Sequence, residues 1–183
     1  MRHDRHITNL IDSYSQIDND LLSFQGNQLA FFKGSIAPKL LIVGEAPGPQ
    51  ENIAGEPFVG PAGIELHKSL DEISIDSSHV AFLNSVFRMP IGIDGKFRAP
   101  TTIEIEHYAP FVNDIILKLK PTVIMACGNT ACQSLLKMQG INKLRGRWFG
   151  NILPTFHPSY ILRAPQNRSV FLKDLVECKS KLI

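Results

Sequence analysis

Leu40-Leu41-Ile42-Val43 form a run of four consecutive apolar residues, two of them β-branched. Such a run reads as a strand buried on both faces, here spanning 39–43. It breaks at Gly44 into Glu45-Ala46 and a Pro47-Gly48 turn. Similar runs at 79–86, 122–126 and 151–156 predict three more strands. Between them, apolar residues recur at helical spacing over 61–73, 102–118, 131–138 and 166–181. Ahead of the first strand, Ile7, Leu10, Ile11, Tyr14, Ile17, Leu21 and Leu22 predict an amphipathic helix over 7–24 that breaks near Asp18-Asn19. A connector over 26–38 has room for a short strand at 29–32. Four strands alternating with helices predict an α/β fold, a three-layer α/β/α sandwich around a central four-stranded parallel sheet. The expected organisation is one domain over 1–183, with 1–38 packed on it as an N-terminal helix and connector.

The connections carry their own signals. Residues 47–60 are rich in Gly and Pro and read as a long loop, of the kind that is functional or disordered; Phe58 and Val59 argue against disorder. Pro61 suits the first turn of the helix that follows. A basic, turn-rich loop at 88–100 contains Lys96 and Arg98. Thr101-Thr102 caps the next helix, with Glu104 and Glu106 in its first turn, where the macrodipole favours them. Gly128-Asn129-Thr130 reads as a cap, and 142–149 as a basic turn or hairpin.

Composition narrows the class. With 183 residues, 44% hydrophobic and 20% charged, the chain is long enough for a full core and is globular in character. Net charge is only +2, but its distribution is uneven. Lys143, Arg145, Arg147, Arg163, Arg168, Lys173, Lys179 and Lys181 crowd the stretch from 143 onward, as a solvated face or a phosphate-facing surface. Cys127, Cys132 and Cys178 lack metal-like spacing and read as reduced thiols, the first two as small core residues. No signal-peptide pattern follows Met1, and no run nears the ~18 apolar residues of a membrane span. A cytoplasmic protein without a membrane partner is expected.

Three predicted strands deliver a polar residue at their carboxyl ends: Glu45, Asn84 and His157. In open α/β sheets that edge is where ligands bind. Taken singly, each has an ordinary explanation: a solvated Glu, a turn-forming Asn, a structural His before Pro. Together with Phe58 they offer a carboxylate, an amide, a switchable imidazole and an aromatic platform. That set suits a planar heterocycle stacked on Phe58, hydrogen-bonded by Asn84, with His157 near one oxygen.

At these residues the chain resembles a known family. Gly44-Glu45-Ala46-Pro47-Gly48 with Pro57-Phe58-Val59-Gly60-Pro61-Ala62-Gly63 is similar to the first motif of the uracil-DNA glycosylase superfamily, closest to its family-four branch. Asn84 with Arg98-x-Pro100 resembles the second motif, and Pro154-Thr155-Phe156-His157-Pro158-Ser159-Tyr160-Ile161-Leu162-Arg163 the closing histidine motif. Lys120-Pro121-x-Val123-Ile124, Gly128-x-x-Ala131 and Arg145-Gly146 also fit, in the expected order.

The resemblance implies a monofunctional DNA glycosylase that hydrolyses the N-glycosidic bond of uracil, or a related altered pyrimidine, flipped out of DNA in base-excision repair. Glu45 would orient or activate the attacking water, with Glu51 as helper. Phe58 would stack on the base, Asn84 would read its polar edge, and Ala46 and Gly48 would line its pocket. His157 would hydrogen-bond the base oxygen that gains negative charge. Arg98 and Pro158, Ser159, Tyr160, Ile161, Leu162 and Arg163 would contact DNA, with Tyr160, Ile161 or Leu162 filling the gap in the minor groove. A donor at the developing oxyanion is worth about 10²–10³ in rate, and general-base help about 10²–10⁴. Strand cleavage is not expected, because no lysine stands out as a Schiff-base nucleophile. A monomer is expected.

The chain also departs from that family. The family-four pattern carries four cysteines that bind an iron–sulfur cluster, two of them near the N-terminus. Residues 1–40 contain no Cys, and the two later positions correspond to Arg88 and Tyr108. A four-thiolate cluster cannot form from what remains, so no cofactor is expected, with Arg88 and Tyr108 replacing the cross-link by packing and hydrogen bonding. Pro49-Gln50-Glu51-Asn52 is less acidic than the family pattern, and Ala46 stands where the best-known uracil glycosylases have aspartate. The alternatives are a non-catalytic DNA-binding member of the fold and a nucleotide-handling enzyme on a Rossmann-like sheet. The lack of G-x-G-x-x-G and of a P-loop motif speaks against the last.

Overall fold

The computed structural model describes residues 9, 12–14, 17 and 19–182. Of the helix expected over 7–24, residues 7, 8, 10, 11, 15, 16 and 18 lie outside the described residues, and beyond the expected break the chain at 19–22 is bend and turn, not α-helix. Residues 12–14 are helical and Ser23–Gln25 form a 3₁₀ turn.

Five strands form one sheet: β1 (Phe32–Gly34), β2 (Leu40–Gly44), β3 (Val80–Asn84), β4 (Val123–Cys127) and β5 (Ile152–Thr155), in the order β1-β3-β2-β4-β5. β2 to β5 are the four expected parallel strands. The fifth corrects the all-parallel expectation: β1 pairs antiparallel with β3, Phe32 opposite Leu83. A connector of only five residues joins β1 to β2, too short for a crossover helix, and β1 lands on the outer edge of β3 instead.

Alternation along β2 splits the core into two layers. Leu41 and Val43 face one cluster with Ile105, Tyr108, Val112 and Ile115 of α3 (Thr102–Leu119) and Ala131 of α4 (Gly128–Leu136). Leu40 and Ile42 face the other, with Leu66 and Leu70 of α2 (Pro61–Glu72) and Phe171 and Leu175 of α7 (Arg168–Ser180). Helices therefore cover both faces, completing the three layers. None of them, among the described residues, is long and apolar enough to cross a membrane.

Three short helices depart from the sequence reading. α1 (Pro49–Ala54) sits inside the supposed long loop: Pro49 occupies its first turn, and Glu51 caps it from the third position. α5 (Ile141–Leu144) replaces part of the basic turn. α6 (Pro158–Arg163) starts directly after β5, and a 3₁₀ turn at Pro165–Asn167 separates it from α7, which begins two residues later than expected.

All three cysteines are buried, in β4, α4 and α7. Burial pushes the Cys132 thiol up to about 11 and Cys178 up to about 12, so both remain protonated at neutral pH.

Candidate active site

The parallel register brings the strand ends together. Gly44 pairs with Asn84 across β2 and β3, so Glu45 leaves the sheet beside the Asn84 side chain. Ser85 secures this junction, its hydroxyl donating to the Gly44 carbonyl at 2.6 Å. Around it opens a cleft of about 510 Å³, lined by Glu45, Ala46, Gly48, Glu51, Phe58, Asn84, His157, Ser159, Leu162 and Arg163, among others. Phe58 and His157 face one another with ring centroids 6.4 Å apart and planes within 27° of parallel.

Local geometry brings the Phe58 ring and the Asn84 amide together over Gly44. A β-carbon on Gly44 would lie 2.5 Å from Phe58 Cζ and 3.1 Å from Asn84 Oδ1, so only glycine lets ring and amide meet there. Phe58 adopts a left-handed backbone, φ 56°, an expensive conformation for a bulky residue that tends to persist at functional sites. Gly63 of α2 allows it, since a β-carbon at 63 would come 2.0 Å from the Phe58 carbonyl oxygen.

Each polar side chain is held by a specific partner. Thr130, at the start of α4, donates its hydroxyl to Glu45 Oε2 at 2.9 Å. Asn84 Nδ2 donates to the Ala30 carbonyl at 2.8 Å. A carbonyl can only accept, so the amide is oriented with Oδ1 on the Gly44–Phe58 side. His157 Nδ1 accepts the Ser159 backbone N–H at 3.2 Å and lies 2.8 Å from the Ser159 hydroxyl. That nitrogen is therefore unprotonated, and Nε2 carries the proton of the neutral ring. Burial, assisted by the Arg163 charge, pulls His157 below its usual value against the opposing pull of Glu45 and Glu51.

Other nominated residues are placed differently. Glu51 is spent on the loop: Oε1 accepts the Gly60 N–H at 2.7 Å and Oε2 the Gly48 N–H at 3.2 Å. It braces α1 and the Phe58 loop and is not free as a catalytic helper. Ile161 is 2% exposed and packed in the core, so it cannot fill a gap in DNA, whereas Leu162 is 46% exposed at the cleft rim. Tyr160 packs its ring on Phe156 at 4.9 Å, and its hydroxyl accepts from Asn167. Pro158 is buried at the first turn of α6. Arg98 is committed to Glu104 through two hydrogen bonds of 2.6 and 2.8 Å, which tie the 88–100 loop to α3. That pairing, with the Thr101 cap, holds Glu104 below the usual carboxylate range despite burial.

The expected basic surface thins for the same reason. Arg145 pairs with Asp174, and Arg168 with Glu65 and Glu72. Arg163 has no ion-pair partner among the described residues and borders the cleft. Thr130, which steadies Glu45, and Phe97, which lines the cleft, are not singled out by the sequence reading. Thr130 carries a signal, since it too follows the carboxyl end of a strand, but its place in the predicted cap of α4 accounts for it equally well in sequence. Phe97 reaches the rim from a hairpin closed by the Ile91–Phe97 bridge, which polar turn residues concealed.

Arg88 and Tyr108, at the positions the resemblance gives to cluster ligands, converge on one carboxylate. Arg88 Nε donates to Asp20 Oδ2 at 2.6 Å, and the Tyr108 hydroxyl donates to Asp20 Oδ1. A guanidinium and a phenol in a buried hydrogen-bonded cluster do not fit an iron–sulfur centre, and the three cysteines lie elsewhere in the fold.

Comparison with known proteins agrees with this geometry. The family model of the Uracil DNA glycosylase superfamily matches residues 31–177. The chain is 36% identical over 157 residues to a Type-4 uracil-DNA glycosylase of Thermotoga maritima, covering 81% of this chain and 80% of that protein. It is 33% identical over 156 residues to the Pyrobaculum aerophilum protein of the same name, covering 78% of each. With the Saccharolobus solfataricus Type-4 enzyme it shares 29% identity over 163 residues, 82% of this chain and 74% of the relative. A match spanning most of the sheet and both ends of the cleft makes this chain a member of the uracil-DNA glycosylase superfamily.

Proposed function

We propose that the protein excises uracil from DNA by hydrolysing its N-glycosidic bond, leaving an abasic site for base-excision repair. The observation that carries this reading is the convergence of Glu45, Phe58, Asn84 and His157 on one cleft. A nucleobase cannot be attacked inside the duplex and must be everted into such a cleft. Phe58 offers a stacking face. Asn84 Oδ1 is an acceptor matched to the N3–H of uracil; cytosine presents a lone pair there and is repelled. As the bond breaks, negative charge develops on the base, and the Nε2–H of neutral His157 donates to the oxygen that receives it. Positive charge develops on the sugar, opposite the Glu45 carboxylate, which is steadied by Thr130 and orients the water. Leu162 occupies the space vacated in the stack, and Arg163 contacts a backbone phosphate.

The test is single-turnover incubation with single-stranded and duplex oligonucleotides carrying one uracil. Released base is identified by mass spectrometry and abasic sites by alkaline cleavage. Release of free uracil with an intact sugar–phosphate backbone is expected. Binding of uracil-DNA without release of base would instead identify a non-catalytic member of the fold.

A further inference from the structure

Asp20, Arg88 and Tyr108 form a buried polar cluster outside the lining of the cleft, and its connections lead back to the cleft. Besides Asp20, Arg88 donates through Nη2 to the Ile17 carbonyl at 2.6 Å and through Nη1 to the Asn27 carbonyl. Leu22 N–H closes on Asp20 Oδ1 at 3.0 Å. One guanidinium thus grips the 17–27 segment at three points. Beyond it the segment runs antiparallel to the extension of β3. Leu29 bridges Arg88, Ala30 N–H donates to the Phe87 carbonyl at 2.9 Å, and Asn84 N–H donates to the Phe31 carbonyl at 2.8 Å. Between those last two contacts lies the Ala30 carbonyl that accepts from Asn84 Nδ2.

We propose that Asp20, Arg88 and Tyr108 are positioning residues for base recognition: they anchor the 17–31 segment so that the Ala30 carbonyl locks the Asn84 amide with Oδ1 toward the cleft. The lock needs no metal, since side chains alone complete it. It rests on Asn84 being the group that reads uracil. Released from Ala30, the amide rotates between two orientations, and the one presenting Nδ2 sets a donor against the donor N3–H of uracil. The loss should therefore fall on recognition of the base and leave contacts to the DNA backbone alone.

Inhibition by free uracil separates this role from simple stabilisation, because an inhibition constant does not depend on how much of the protein is folded. Arg88→Met and Tyr108→Phe are compared with wild type at a temperature where melting curves show each folded. For Arg88→Met the inhibition constant of uracil should rise about tenfold, the worth of one hydrogen bond to a base edge. Affinity for a duplex carrying a tetrahydrofuran abasic analogue should stay within about twofold. Tyr108→Phe, which keeps the ion pair and loses one hydroxyl, should show the same pattern at smaller size and serves if Arg88→Met does not fold. An unchanged uracil constant in folded variants overturns the proposal, as does a parallel loss of uracil and abasic-duplex binding. Wild-type protein that neither releases uracil nor is inhibited by it would instead refute the glycosylase reading.

Discussion

The backbone N–H of Ser159 donates to Nδ1 of His157, and this contact decides which nitrogen of the ring can act on a base. Because α6 begins at Pro158, the N–H of its second residue is free of helical bonds and points back at the imidazole. On the proposed reading, the donor to the base and the helix cap are one side chain. His157→Ala should lower the single-turnover rate about 10²–10³-fold, the usual worth of an oxyanion donor, with little change in abasic-DNA affinity. Ser159→Ala keeps the backbone N–H and should cost less than about fivefold. Equal losses in the two variants would contradict the tautomer assignment.

The charges around His157 make opposite predictions for pH. Burial and Arg163 lower its pKa, whereas Glu45 raises it. In the free protein, the imidazole should titrate below the ordinary value of about 6.5. Arg163→Gln should move that titration upward and Glu45→Gln downward, as read by NMR of the ring protons. Shifts of the same sign in both variants would show that neither charge acts on the ring.

Packing at Phe58 gives a separable pair of glycine variants. Gly63→Ala drives a β-carbon into the Phe58 carbonyl and should destabilise the fold by more than the ~1–3 kcal/mol of ordinary overpacking. Gly44→Ala meets the movable end of the Phe58 ring instead. It should remain folded and lose about 10²-fold in rate, as a displaced platform implies. Thermal melts alongside uracil-release assays distinguish the two.

Neighbouring α6 residues should behave oppositely. Ile161→Ala opens a core cavity and should cost about 2–5 kcal/mol in stability. Leu162→Ala should melt like wild type yet lose activity on duplex substrate much more than on single strands, where no stack has to be refilled. Equal loss on both substrates would remove Leu162 from the role of wedge.

Acid should loosen the Asp20 cluster. Burial alone would raise the Asp20 pKa, but the Tyr108 hydroxyl, the Arg88 guanidinium and the Leu22 N–H outweigh it and hold the carboxyl below its usual range. A depressed folded-state value stabilises the protein above the unfolded value of about 3.9, and that stability is lost as pH falls through the folded value. Urea unfolding as a function of pH should show this decline in wild type and a weaker one in Asp20→Asn, which is less stable at neutral pH. Arg88→Met, which strands a buried carboxylate, should cost about 3–5 kcal/mol.

Much of the scaffold could be read from the chain alone, because continuous apolar runs in central strands buried on both faces and period-3.6 burial in their helices are strong, local signals. The polar residues after β2, β3 and β5 were visible for the same reason: strand ends in a parallel sheet share an edge. Partnership was not visible. Arg98, Arg145 and Arg168 look like phosphate contacts until Glu104, Asp174 and Glu65 arrive from other elements to neutralise them. Ile161 and Leu162 are equivalent in sequence and differ only in which side of a six-residue helix they occupy. Glu51 looked like a reagent because its two backbone partners, Gly48 and Gly60, are brought together only by the folded loop. Thr130 is hidden in sequence by its place in a predicted helix cap, and only the fold turns its hydroxyl to Glu45.

The joint between Asp20, Arg88 and Tyr108 has a bearing on how the protein comes into being. Its parts are on the polypeptide as it leaves the ribosome, so the fastening closes as the chain folds, without a delivery pathway or a supply of iron and sulfide. Oxygen and peroxide, the agents that damage DNA, find nothing at that joint to dismantle.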